Sequence, residues 1–407
     1  MNLRHLLLAS LLAASLKAGA QDWLDRLDER LQLQSRDGRY RLDFSGTIDL
    51  EAYYIDQRSP GLLFGADDFV NPRLSLFLDA QLGRQFYSFV QLRVDRGFDP
   101  YSGVWDARFD EYFLRYSPLD HGRLNIQVGK SATVVGNWVG RHDSWNNPFI
   151  SAPLPYENVT AAADANVTPN ANTFLARRDA PDNKAAWLPV LWGPAYTTGV
   201  SIFGAGEKLD YAFEFKNASI SSRPAVWDAR DLGWENPTLS GRLGYRPNAA
   251  WNIGTSFSAG TYLQPDAESG AGFPDGREIG YYWQTTVGVD VAFAWRHWQI
   301  WGEVFLSRFE IPHVGDADTL TYYVEAKYKF STRWFAALRW NQQFFGDVRD
   351  DFGTATAWDR DVYRVDTAVG VRLTRHIQAK IQYSYTHHDS RLQQGEQLVA
   401  GQLTVKF

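Results

Sequence analysis

The sequence predicts an all-β chain, a transmembrane antiparallel β-barrel of about sixteen strands with a long, inward-folding third outer loop. Three observations predict it. Short segments alternate apolar and polar residues at every step, as in 398–407 (LVAGQLTVKF), where Val399, Leu403, Val405 and Phe407 share one face and Gln402, Thr404 and Lys406 the other. The links between such segments are alternately short and long, as they are in barrels that span a membrane. Beyond the amino-terminal stretch no segment approaches the ~20 apolar residues of a membrane helix, whereas a spanning strand needs only ~9 to 11.

Taken from the start, residues 1–20 have the form of a cleaved secretory signal. Arg4 and His5 give the positive end, 6–16 the apolar stretch, and Ala18-Gly19-Ala20 a small-residue cleavage site. Residues 21–38 follow as a periplasmic extension in which Trp23, Leu27 and Leu31 recur at helical spacing. The barrel is expected over 39–407. Its strands are read at 41–55, 73–82, 85–95, 109–116, 123–130, 196–203, 209–216, 239–245, 251–261, 281–293, 298–307, 320–330, 334–344, 363–373, 377–386 and 398–407. In 320–330, Leu320, Tyr322, Val324, Ala326 and Tyr328 fall on the lipid face, and Thr321, Tyr323, Glu325, Lys327 and Lys329 on the lumen face. Exchanging the faces would place two Lys and a Glu in hydrocarbon, so the register is fixed.

Composition narrows the function classes. Aromatic residues make up 15% of the chain, including 16 Trp, which suits girdles at two membrane interfaces. There is no Cys, so thiolate metal sites and thiol nucleophiles are excluded. A net charge of -6 speaks against nucleic acid as a partner. No cofactor, metal or catalytic residue is expected. His387-His388 lacks further ligands, and no nucleophile motif or Gly-rich phosphate loop is present.

Sixteen strands enclose an aqueous bore. The third outer loop, 131–195, is the natural constriction, with Arg141, His142 and Asp143 near its start and Arg177, Arg178, Asp179 and Lys184 near its end as candidates for a charged ring. Inferred lumen charges are uneven. Lys327, Lys329, Arg339, Arg364, Arg372 and Lys380, with Lys406, form a basic wall, and Asp43, Asp49, Glu51, Asp79 and Asp95 an acidic one. Either the two walls set up a field across the bore, or the charges pair locally and only solvate it.

The stretch 109–130 (FDEYFLRYSPLDHGRLNIQVGK), followed by Asn147-Pro148-Phe149 and Leu154-Pro155, resembles the phosphate-selective porins of the O and P type from Gram-negative bacteria. The resemblance implies trimers of 16-stranded barrels in the cell outer membrane, in contact with the bilayer and lipopolysaccharide, and a carboxy-terminal aromatic, here Phe407, that assembly machinery recognises. The basic phosphate ladder of those porins is not evident, so phosphate specificity does not carry over. The expected function is a non-enzymatic porin for passive diffusion of small hydrophilic solutes or ions. The alternatives are an outer-membrane enzyme of phospholipase type and a barrel that sheathes or anchors a partner.

Overall fold

A computed structural model describes residues 19–57, 61–63, 67–97, 103–179, 187–224, 234–267, 271–390 and 394–407. The expected signal lies almost wholly outside these residues, as does Lys184. Helix α1 (Gly19–Arg30) precedes a short strand, Gln32–Gln34, and then the barrel begins. Its strands are β1 (Tyr40–Ile55), β2 (Asp67–Leu82), β3 (Phe86–Asp95), β4 (Asp106–Tyr116), β5 (Asn125–Ser131), β6 (Thr197–Ala205), β7 (Leu209–Lys216) and β8 (Thr238–Tyr245). The ring continues with β9 (Trp251–Thr261), β10 (Trp283–Trp295), β11 (Trp298–Ile311), β12 (Gly315–Lys329), β13 (Trp334–Phe345), β14 (Val362–Arg372), β15 (Ile377–His388) and β16 (Gly395–Lys406).

Each strand pairs antiparallel with its sequence neighbours, and β16 pairs with β1 from Leu398 opposite Ile55 to Lys406 opposite Thr47. The sheet therefore closes into a barrel of sixteen strands. The Phe407 N–H donates to the Gly46 carbonyl at 3.0 Å, and the Gly46 N–H to the Phe407 carbonyl at 2.8 Å. A Cβ at Gly46 would strike the Phe407 ring and crowd the Ser75 carbonyl, so a larger residue there would displace the terminal ring.

Side chains alternate as the register requires. Val324 is 51% and Ile381 50% exposed on the outer face, while their neighbours Thr321 and Gln382 are fully buried on the inner one. Trp251, Trp295, Trp298 and Trp334 stand exposed at the strand ends that meet the short turns, a ring of amphipathic side chains suited to an interface.

Three local expectations change. The link expected over 308–319 is a three-residue turn, because β11 and β12 run on as a hairpin to Ile311 opposite Gly315. Arg308 bonds across it to Asp318 at 2.7 Å and Asp316 at 2.9 Å. The strand expected at 73–82 starts earlier, at Asp67, and contains Pro72. In α1, Leu24 is buried and Trp23 is 59% exposed, so the packed face is not centred on Trp23. The helix is tied to the turn between β14 and β15 through Asp25, whose Oδ1 lies 2.6 Å from His376 Nε2.

Lysine in place of Val324 should lower the stability of the folded barrel by about 2 to 4 kcal/mol, since it sets a charge on the outer apolar face. Lysine in place of the half-buried, inward Ser45 should cost far less. Urea unfolding of detergent-folded protein measures the two, and equal losses would show that the faces are exchanged.

Candidate functional site

The inner face carries charges in a closed space, and such charges persist only when paired. The segment between β5 and β6 supplies many of the partners. At its start the Lys216 ammonium donates to the Ser131 and Ala132 carbonyls at 2.7 and 3.0 Å, and the Val134 N–H donates to Glu214 at 3.0 Å. Gly136, at φ +80°, passes so close to Glu303 and Tyr156 that a Cβ would collide with both. Glu303 accepts from the Trp138 N–H at 2.8 Å, the Tyr156 hydroxyl at 2.6 Å, and the Asn137 N–H.

Of the ring candidates, Arg141 is buried. It donates to Glu325 at 2.7 Å and to the Tyr323 hydroxyl at 3.1 Å, and its guanidinium lies 4.3 Å from the Trp301 ring centre. His142 reaches the Tyr196 hydroxyl at 2.7 Å, and Asp143 accepts from the Trp145 and Asn146 N–H groups within its own turn. Arg177, Arg178 and Asp179 are elsewhere. Arg178 donates to the Ala357 carbonyl at 2.6 Å and Arg360 to Asp179 at 2.7 Å, which places them beside the hairpin Asp347–Arg349 and Ala355–Ala357 of the outer link between β13 and β14. The two halves of the expected ring thus bond to different parts of the barrel.

The basic wall divides into two sets. Arg339, fully buried, pairs with Asp366 at 2.7 Å, donates to the Ser151 and Ala152 carbonyls at 3.2 and 3.1 Å, and lies 4.2 Å from the Phe149 ring centre. Arg364 bonds to Glu157 and Asp366. Lys380 is held by three carbonyls, those of Ser144, Asn147 and Phe149, at 2.8, 3.0 and 3.1 Å. These three cations fasten the loop. Lys327, Lys329, Arg372 and Lys406 make no ion pair with a described residue. Lys327 packs 4.2 Å from the Phe335 ring centre, and Arg372 and Lys406 lie 5.4 and 4.4 Å from that of Trp145. All four stand toward the short turns.

The acidic wall is compensated. Arg73 bonds to Asp49 and Glu51, Arg41 to Asp43 at 2.6 Å, and Asp95 receives Arg93 and Arg108 at 2.8 and 2.9 Å. Asp79 accepts from the Tyr87 hydroxyl. Local pairing prevails over two opposed walls of unpaired charge. Glu303, Tyr156 and Glu157 escaped sequence reasoning. The available signal for Glu303 was an acid at an inward position of β11 between the inward aromatics Trp301 and Phe305.

No family model matches the chain, and no curated protein matches it in sequence. Solved structures match it in fold. OmpF of Salmonella typhi, solved in complex with daunomycin, superposes with a TM-score of 0.59 at 10% identity over 92% of this chain and 100% of that one. The outer membrane channel DcaP of Acinetobacter baumannii gives 0.57 at 11% over 92% and 99%. An anion-selective porin from Comamonas acidovorans gives 0.56 at 10% over 90% and 100%. The chain thus has the closed barrel fold of outer-membrane porins.

Two outcomes follow from the pairing. Asp366→Asn removes the acid that Arg339 and Arg364 share, leaving them Glu325 and Glu157, and should cost about 1.5 to 3 kcal/mol, whereas replacing Arg339 by Met and Asp366 by Leu together should cost less. Urea midpoints of the two variants compare them, and a larger loss for the double variant would contradict the pairing. In the outer link, burial pushes the Asp359 carboxyl up to about 7, against the backbone N–H groups of Arg360 and Ala161 that favour its charged form. A raised carboxyl stabilises fully below its unfolded value of about 3.9, and that contribution is lost as pH rises through about 7. The rate of tryptic cleavage after Arg177 and Arg178, taken relative to that of Asp359→Asn at the same pH, should therefore rise from pH 5 to 7 and level off above it.

Proposed function

We propose that the chain is an outer-membrane diffusion channel for small hydrophilic solutes, that the segment between β5 and β6 lies in the bore as its constriction, and that anions are favoured. The observation that carries this reading is the closed sixteen-stranded barrel whose polar inner face binds that segment on Asp49, Glu214, Glu303, Glu325, Arg339 and Lys380. A loop bonded to inner-face groups of so many strands narrows the passage without spanning the membrane itself. The preference for anions rests on Lys327, Lys329, Arg372 and Lys406, inward cations that make no ion pair with a described residue. The anion-selective porin of Comamonas acidovorans shares the fold and is consistent with such a preference. Delivery to the Gram-negative outer membrane by a cleaved signal, assembly as a trimer, and use of Phe407 as an assembly signal complete the proposal. Phosphate specificity is no part of it.

Planar-bilayer recordings under a salt gradient test it. The wild type should conduct, and replacing Lys327, Lys329, Arg372 and Lys406 together by Gln should move the reversal potential toward cations, most at low salt where screening is weak. Silent membranes would overturn the channel reading, and an unmoved potential at low salt would overturn the role of these cations.

A further inference from the structure

A bore is expected to be polar, yet the wall formed by β2–β6 turns aromatic side chains inward in its short-turn half. Phe77 and Phe89 stack with ring centres 6.1 Å apart, Phe89 and Phe113 lie at 5.6 Å, and Tyr87 and Phe113 at 6.1 Å. Phe203 of β6 continues the stripe. Each occupies an inward position by register, since Phe77 shares its face with Asp79, Phe113 with Arg115, and Phe203 with Ser201. The Arg115 guanidinium sits among them, 5.1, 5.3 and 4.9 Å from the ring centres of Tyr87, Phe113 and Phe203.

Arg115 differs from the other inward arginines of this wall. Arg93 and Arg108 hold carboxylates, whereas among the described residues Arg115 donates from Nε and Nη2 only to the Gln127 side-chain amide oxygen Oε1, at 3.2 and 2.9 Å. The acids around it are occupied. Glu111 accepts from the Ala132 N–H, Glu214 pairs with Lys216 at 2.9 Å, and Asp210 pairs with Arg242 and Arg246 at 2.8 and 3.2 Å. The guanidinium keeps a free donor edge, and beside it opens a cavity of about 420 Å³ whose lining joins Phe203, Val134 and Ala212 to polar Asn125 and Gln127 and to Asp210 and Glu214, both of which are paired with cations. That volume is of the size that holds small organic ligands. A guanidinium set among three aromatic rings and making no ion pair with a described residue matches a ligand with a planar carboxylate on an apolar ring.

We propose that Arg115, with Phe113 and Phe203, forms a binding step for small aromatic carboxylates on the wall opposite Lys327 and Lys329. β4 and β12 stand eight strands apart in a ring of sixteen, so a carboxylate solute beneath the constriction meets cations on both sides. The aromatic stripe distinguishes ring-bearing anions from small inorganic ones.

The proposal rests on the channel reading for its role in transport, and its test separates the two. Full-length protein in planar bilayers is titrated with benzoate or with acetate, which carry the same charge. Benzoate should interrupt the current at a concentration about tenfold below acetate, and Arg115→Gln and Phe203→Leu should each remove most of that difference. Arg308→Gln, in the hairpin of β11 and β12, should leave it intact. Heat-modifiable migration in gels confirms that each variant has folded. Calorimetry on the detergent-solubilised protein gives the binding difference without any current. Silent bilayers with benzoate still bound more tightly than acetate would overturn the channel and keep the site, whereas equal binding of the two anions, or a wild-type difference in Arg115→Gln, would overturn the site.

Discussion

Closure of the sheet is the constraint from which the rest of the molecule follows. A spanning segment in hydrocarbon has no water to satisfy its backbone, so every N–H and C=O needs a partner within the protein, and an open edge is excluded. Pairing of β16 with β1 meets that need and removes both edges at once. Once the ring is closed, pleating sends alternate side chains outward and inward, so apolar residues and charges are sorted by parity alone. A shift of one residue would invert the sorting, which is why Val324 and Glu325, adjacent in sequence, occupy such different surroundings.

The second consequence concerns the inward charges. Crowded on a concave surface and shielded from solvent by the segment between β5 and β6, they are stable in proportion to the partners they find. Arg339, Arg364 and Lys380 find theirs in Asp366, Glu157 and loop carbonyls, which makes them structural. Lys327 packs against Phe335, and Arg372 and Lys406 against Trp145, and none of the three makes an ion pair with a described residue. Residues of one type on one face of adjacent strands thus divide between those held by carboxylates and loop carbonyls and those packed on aromatic rings.

The sequence reveals what is local. Alternation in β12 and β15 and the short links at 83–85 and 373–376 are visible because side-chain period and turn chemistry act over a few residues. The extended hairpin of β11 and β12 is hidden, because Arg308, Asp316 and Asp318 read as loop residues until their cross-strand pairing is known. The fastening of the loop is hidden for a deeper reason. The partner of Arg141 is Glu325 and that of Lys380 is the carbonyl of Ser144, contacts made across most of the chain by groups with no periodic signature. A list of inward cations can be read from parity. Which of them are already spent on the loop cannot.

The pairing of β1 with β16 also has a meaning in time. These strands are the barrel's most distant pair in sequence, and their contact is the one whose chain-closure entropy is greatest. Every other pairing joins strands consecutive in the chain, and all but that of β5 with β6 cross links short enough to form locally. The seam is thus the event that separates a curling sheet from a finished cylinder, and until it zips, each of the two strands presents a full row of unsatisfied backbone groups. A change that disturbs Gly46, where the Phe407 ring rests on the first strand, acts at that seam. It would prolong the open, aggregation-prone species even where the completed cylinder tolerates it.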